Sequence, residues 1–354
     1  MNNFRKIMAA VAAAEIDALM LESPVNRQYA SGFDASDGAA IITAEKAWFF
    51  TDSRYIEAAE NAITDAEVLM VTREYPYSKR INDVIASEGI RKLGFEEYST
   101  SYHAYEQWRE KLNAELVPAQ KIVTDLRAVK TAEELSFLID SQRTAEKSFN
   151  EILPLISTEI TERELAAELL YRFQKNGAED KSFDSIIVSG PHSSMPHGVP
   201  SDGKIGKGFL TIDFGVRKNG WCSDTTRTLC VGEPTDEMRK VYEIVLEAQL
   251  AGIAAAHEGA TGSDIDGAAR AVIEKAGYGE EFGHGFGHGV GLEVHEAPYA
   301  SPSGVDPIPA GAVISAEPGI YLPGRFGVRI EDVIYITETG CVDITELPKE
   351  LIIL

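Results

Sequence analysis

The sequence predicts two domains, an α/β domain followed by an α+β domain built on antiparallel strands. Three observations lead there. The chain has 354 residues, long for one compact unit and comfortable for two at ~100–200 residues per domain. Helical and extended segments alternate up to about residue 120, the pattern of layered α/β folds. Beyond residue 126, short β runs follow one another across Gly-rich turns, which is the signature of antiparallel hairpins.

In the first domain, 1–125, an apolar helix runs to about residue 15 and leads into a strand at 16–21. β runs at 38–43 and 47–51 flank Glu45-Lys46, and helical spacing returns at 54–62. Strands at 68–71 and 92–95 enclose a helix at 77–87. Residues 121–131 read as a polar join. Thr131 with Glu134 three residues on is a capping-box signature, and it opens a long helix to about residue 149. The second domain, 126–354, continues with a helix at 161–176 stopped by Gly177. Its β runs fall at 184–189, 209–216, 221–231, 312–317 and 326–337, interrupted by helices at about 235–257 and 263–276.

Composition narrows the function. Apolar residues make up 44% of the chain and charged residues 25%, enough apolar material for a core without metal or disulfide staples. The 33 basic residues against 56 acidic ones give a net charge of −23, a field that repels nucleic acid and anionic membranes, so neither is an expected partner. No apolar run reaches the ~18 residues that span a bilayer. Arg5-Lys6 before the apolar residues 7–14 imitates a signal peptide, but Glu15 and Asp17 follow at once. Cys222, Cys230 and Cys341 form no C-x-x-C pair and are odd in number, which fits a reducing cytoplasm.

Five of the seven histidines lie within residues 197–295; of these His197, His284, His288 and His295 are the candidates, the last three in a run where glycine alternates with other residues. Glycine permits close backbone approach, and imidazole is a common metal ligand. Asp213 and Asp224 flank Asn219-Gly220, a favoured type I′ turn pair. With those two residues as the loop, the carboxylates are diagonal neighbours on one face, ~7–8 Å apart at the backbone. Taken alone, such a pair suits a solvated hairpin face as well as a cation site. Glu317 ends a β run before Pro318-Gly319, and Arg329 and Glu331 share one face of the run 326–337. Arg329 there would orient a ligand carboxylate, or simply pair with Glu331. Four carboxylates and one imidazole form a set suited to two divalent ions and to hydrolysis.

These residues, in the order Asp213 of Thr-Ile-Asp-Phe-Gly, Asp224 of Ser-Asp-Thr-Thr-Arg, His288 of Gly-His-Gly-Val-Gly, Glu317 of Glu-Pro-Gly-Ile-Tyr and Glu331 of Arg-Ile-Glu-Asp, resemble the five metal ligands of the aminopeptidase P, prolidase and methionine aminopeptidase group. The resemblance, which covers essentially the whole chain, is to the Xaa-Pro aminopeptidase and prolidase family of dinuclear metallopeptidases, peptidase family M24. It implies a creatinase-like α/β N-terminal domain and an α+β pita-bread catalytic domain with a largely antiparallel curved sheet. It also implies cleavage between an N-terminal residue and a following proline by a metal-bridging hydroxide. Two divalent ions, manganese first with cobalt or zinc as alternatives, a cytoplasmic location and a homodimer belong to the same expectation.

By the same resemblance, Asp213 binds one metal, Asp224 and Glu331 bridge both, and His288 and Glu317 hold the other. Glu317 also takes a proton from the water. His197 and His295 match the histidines that bind substrate and stabilise the oxyanion, with His284, Tyr321 and Arg329 also placed near the substrate. Tyr299 departs from the pattern, because dipeptide-specific prolidases often carry arginine there for the substrate carboxylate. Peptides of three or more residues are therefore expected to be cleaved at least as well as dipeptides, unless a cation such as Arg54 substitutes. The alternatives are a methionine aminopeptidase or broader aminopeptidase, a creatinase-like amidinohydrolase, and a pita-bread binding protein without catalysis. Ser193 and Ser194 beside His192 and His197 suggest a serine nucleophile but lack the elbow motif.

Overall fold

The computed structural model describes residues 2–354. Contacts divide it into two units, 1–127 and 128–354. In the first unit the β-branched and aromatic runs Ala39–Thr43 and Ala47–Thr51 pair antiparallel around the turn at Glu45 and sit at the centre of a six-stranded sheet. The order is Glu67–Met70, Ala47–Thr51, Ala39–Thr43, Ala18–Leu21, Lys92–Phe95, Glu115–Pro118, and the outer strands join in parallel. Ile41, Phe50 and Leu93 pack with Ile81, Val84 and Ile85 of helix Tyr77–Glu88 to form the core of this unit.

The polar join expected at 121–131 is instead a helix, Gln120–Ala128. Val123 is fully buried, and Arg127 is covered as well because its guanidinium donates to Asn26 Oδ1 at 2.8 Å. The charges that made the segment look like a solvated linker are thus partly spent inside the fold.

The second unit pairs its strands antiparallel and covers them with helices on two sides. Thr131 and Glu134 form the capping box that starts helix Ala132–Ile152, and Thr161 with Glu164 does the same for Glu162–Lys175. Phe149 and Leu169 of these two helices bury against Leu210, Ile212 and Phe214 of strand Gly208–Phe214. Helices Asp236–Ala255 and Gly262–Lys275 cover Ile314, Val328 and Ile334. The two apolar clusters leave a polar seam on the remaining face of the strands, and this seam carries the site.

Two turns define that seam. Asn219 and Gly220 both take positive φ, 53° and 79°, as a type I′ turn requires, and Lys218 pairs with Trp221. The register carries through to Asp213 opposite Thr226, even though the strands are interrupted at Gly215 and at Ser223-Asp224. A Cβ at Gly215 would lie 2.0 Å from Ser223 O, so only glycine lets the strands close there. The run expected at 326–337 is two strands. Phe326–Arg329 pairs with Gly319–Leu322, and Asp332–Thr337 pairs with Val313–Ala316. The chain breaks at Ile330-Glu331 because Glu331 turns its N–H to Thr226 O at 3.1 Å and its carbonyl accepts from Arg227 at 2.6 Å. Arg329 and Glu331 therefore do not share a strand.

Candidate metal centre

Strand alternation places the first carboxylate. Leu210, Ile212 and Phe214 point into the core, so Thr211 and Asp213 face the other way. Thr226 and Thr228 stand opposite them on strand Thr225–Val231. Asp224 precedes that strand, and Glu317 follows Val313–Ala316. His288 is the centre of Gly287–Gly289, which pairs with Glu296–Ala300. A Cβ at Gly287 would come within 2.0 Å of Ser315 O, so the glycines let this strand press onto Val313–Ala316 and bring His288 toward Glu317.

Asp213, Asp224, His288, Glu317 and Glu331 all line one cavity of about 920 Å³. Asp224, His288 and Glu331 each offer a ligand atom within 4.8 Å of the others. His288 Nε2 lies 3.1 Å from Glu317 Oε1 and 3.7 Å from Asp224 Oδ2. Asp213 is held by Arg329, Nη2 to Oδ2 at 2.5 Å. Its other oxygen, Oδ1, is buried and has no hydrogen-bond partner.

Charge is out of balance here. Four buried carboxylates face two cations, the Arg329 guanidinium and the His288 imidazolium. Burial opposes charge on Glu317, but the hydrogen bond and charge of His288 hold its carboxyl down to about 2. Burial also opposes charge on His288, and Glu317 followed by Asp224 lifts it to about 9. Asp224 and Glu331 have no such relief. Burial first, then repulsion from their carboxylate neighbours, pushes both well above the usual range. A closed set of oxygens and one imidazole with uncompensated negative charge and an orphaned Asp213 oxygen fits divalent cations.

Hydroxyls and carbonyls orient the set. The Thr226 hydroxyl donates to Glu331 Oε2 at 2.7 Å and accepts from Arg329 Nε at 3.1 Å. Ser315 donates to Glu317 Oε1 at 3.1 Å while accepting from the His288 N–H at 3.0 Å. His288 Nδ1 lies 3.2 Å from Gly289 O, a contact that keeps a proton on Nδ1 and leaves Nε2 to face the carboxylates. Tyr321 joins Arg329, 2.8 Å away, to His284 Nε2 at 3.0 Å. Burial pushes the Tyr321 phenol up to about 12 and pushes His284 down.

His197, His295 and Tyr299 line the same cavity, all with exposed side chains. The His295 ring packs edge-on to His288, centroids 4.1 Å apart, and burial together with the His288 charge lowers its pKa. No serine is poised as a nucleophile among the described residues near His197. Ser193 Oγ is engaged with Gly190 O and the Gly327 N–H, and Ser194 Oγ donates to Pro191 O. His192 is paired with Glu162 at 2.9 Å.

The supporting ion pairs had no reading in the sequence. Asp266 and Arg270, one helical turn apart, clamp the glycine-rich segment. Asp266 Oδ1 accepts from the Phe286 N–H at 3.0 Å, and Arg270 donates to Phe282 O and His284 O at 2.9 and 2.8 Å. The guanidinium also lies over the Phe282 ring, 4.2 Å from its centroid. Lys130 and Glu296 form a buried pair at 2.9 Å directly after His295. Arg227 pairs with Asp332 at 2.7 Å beside Glu331. The i,i+4 spacing of Asp266 and Arg270 was visible, but nothing in the chain said which backbone they would hold.

Comparisons with known proteins place the geometry. Residues 137–338 match the family model for metallopeptidase family M24, and residues 2–129 match the creatinase/prolidase N-terminal domain. The Xaa-Pro dipeptidase of Pyrococcus furiosus is 37% identical over 340 residues, 95% of each chain. An Xaa-Pro dipeptidase structure from Bacillus anthracis is 40% identical with a TM-score of 0.95, covering 99% of both chains. An X-Pro aminopeptidase structure from Thermotoga maritima is 35% identical with a TM-score of 0.91, covering 98% of this chain and 99% of that one.

Arg270→Ala removes three anchors of the segment that carries His284 and His288. Turnover is expected to fall by ~10–100-fold, the cost typical of losing a group that orients a ligand. Steady-state kinetics beside a metal analysis checks it, and wild-type turnover in the variant would refute the clamp.

Proposed function

The chain belongs to metallopeptidase family M24, and we propose that it hydrolyses the peptide bond between an N-terminal residue and a following proline, using two divalent ions. Its relatives named Xaa-Pro dipeptidase and prolidase support the substrate class. The observation that carries the chemistry is the convergence of Asp213, Asp224, His288, Glu317 and Glu331 in one cavity with a deficit of positive charge.

Counting charges leaves room for a second ion. With His288 a neutral ligand, the four carboxylates and Arg329 sum to −3. One divalent ion leaves the buried site at −1, and two leave it at +1. The ions supply Lewis acidity, polarising the scissile carbonyl and lowering the pKa of water in the cavity to near neutrality. Manganese is the proposed metal, since hard carboxylate oxygens dominate the set, with cobalt or zinc also compatible.

The protein's own groups do the rest. Glu317 serves as proton acceptor for the attacking water. Its low pKa rests on the His288 cation, and a neutral imidazole removes that support while burial remains to raise it. The pKa of His295 is lowered by partial burial and then by the His288 charge, which favours the neutral imidazole that can donate a hydrogen bond to the developing oxyanion, and His197 stands in the same cavity to do likewise. Arg329 and Tyr321 hold Asp213 and His284 in place. No helix among the described residues is long and apolar enough to cross a membrane. The three free cysteines support a cytoplasmic location, and the family resemblance supports a homodimer.

With manganese bound, the protein is expected to release alanine from Ala-Pro-Ala and to be inactive after chelation. Preference for Met-Ala-Ser would instead indicate a methionine aminopeptidase, and full activity in a metal-free sample would overturn the mechanism.

Stability should report the same site. In the metal-free fold, raised Asp224 and Glu331 hold protons that the unfolded chain releases, so stability falls as pH rises above the carboxylate range. His288 adds in the same direction, its contribution full below its ordinary value of 6.5 and lost as pH rises through about 9. Glu317 contributes above its ordinary value of 4.5 and loses that only toward about 2, outside this window. Cations must displace the held protons, so manganese should raise Tm more at about pH 8.5 than at about pH 5.5. An equal or smaller rise at the higher pH contradicts the arrangement.

His295→Ala or His197→Ala is expected to lower turnover by ~10²–10³ with metal content nearly unchanged, as for one lost transition-state donor. Loss of metal in either variant would make that histidine a ligand.

A further inference from the structure

The cavity of about 920 Å³ lies near the upper end of the ~300–1,000 Å³ that encloses a drug-sized ligand, more room than a dipeptide fills. Its wall away from the carboxylates is apolar, formed by Ala166, Ala167 and Leu170 of helix Glu162–Lys175 and by Val199. A peptide running along this wall ends in a carboxylate, and a carboxylate leaving water needs a cation.

Three lysine and arginine side chains line the cavity. Arg329 is buried and committed to Asp213 and Tyr321. Arg163 is bound at the rim to Asp202 at 2.7 Å. Lys181, on the short strand Asp180–Lys181, stands elsewhere. It lines the main cavity and also an adjoining one of about 460 Å³, and the residues shared by both are Lys181, Val294 and His295. Lys181 is therefore placed at the junction of the two cavities with His295. Its partner is Asp184, whose side chain is 90% exposed, so an incoming carboxylate displaces a solvated ion pair at little cost. The side cavity carries both signs, Arg217 with Lys181 against Asp180 and Glu293.

Resting on the Xaa-Pro reading above, we propose that Lys181 receives the C-terminal carboxylate of peptides with one or more residues beyond the proline, making these free-acid peptides, rather than dipeptides, the favoured substrates. In a dipeptide the carboxylate lies directly beyond the proline, next to the scissile bond. Tyr299, which lines the same cavity, offers only an uncharged phenol. Each further residue carries the carboxylate ~3.3–3.6 Å outward and leaves a neutral amide in its place.

The test compares kcat/KM for Ala-Pro-Ala with that for its C-terminal amide, using the full chain loaded with manganese. The acid-to-amide ratio should exceed one in the wild type, fall about fivefold in Lys181→Met, and be retained in Lys181→Arg. Inhibition by the product Pro-Ala should weaken in Lys181→Met relative to inhibition by Pro-Ala amide. A ratio unmoved by Lys181→Met overturns the assignment of Lys181 alone, as does a stronger wild-type preference for Ala-Pro over Ala-Pro-Ala. Failure to cleave either tripeptide with metal present overturns the Xaa-Pro reading itself.

Discussion

Four carboxylates share one buried cavity with only Arg329 and His288 to offset them, and much of the second domain exists to tolerate that arrangement. Uncompensated buried charge costs several kcal/mol per group, so such a cluster persists only where surrounding groups over-determine it. The surroundings here are rigid. Asp213 sits on a strand whose other face is packed under two helices, and Thr226 and Ser315 fix the carboxylate oxygens of Glu331 and Glu317. The fold stores a standing demand for positive charge, and divalent cations meet it.

Backbone geometry makes the convergence possible before any side chain acts. Gly215 lets the Asp213 and Asp224 strands close, and Gly287 lets the His288 strand touch Ser315. A methyl group at either position would sit 2.0 Å from a carbonyl oxygen. The break at Ile330-Glu331 has the same effect by another route, turning Glu331 toward Thr226 where a continuous strand would have carried it past. Interrupted strands are thus part of the site's construction.

Much of this was legible in the sequence because it is local. The Asn219-Gly220 turn dictates a register, the register pairs Asp213 diagonally with Asp224, the capping box at Thr131 starts its helix where expected, and the helix expected from 161 begins there. Long-range contacts were not legible. Residues 121–131 looked like a linker because the burial of Val123 and Arg127 depends on partners far away in sequence, Asn26 among them. The Asp266–Arg270 clamp and the Lys130–Glu296 pair went unread for the same reason. A charged residue announces itself as a ligand only through a motif, whereas its role as a brace is written in the carbonyls it happens to reach.

Chemistry and selectivity occupy different parts of this cavity. The ligands lie on paired strands or at their ends and are buried or half-buried, so any change among them is felt through a network of short hydrogen bonds. Lys181, Val199 and Tyr299 stand on short strands, loops and edges, half-buried or exposed. Side chains of that kind can be exchanged without disturbing the charge balance below. The same floor can therefore serve different peptides, and it is the uncharged Tyr299 and the junction placement of Lys181, not the metal ligands, that separate a substrate ending at proline from one that continues.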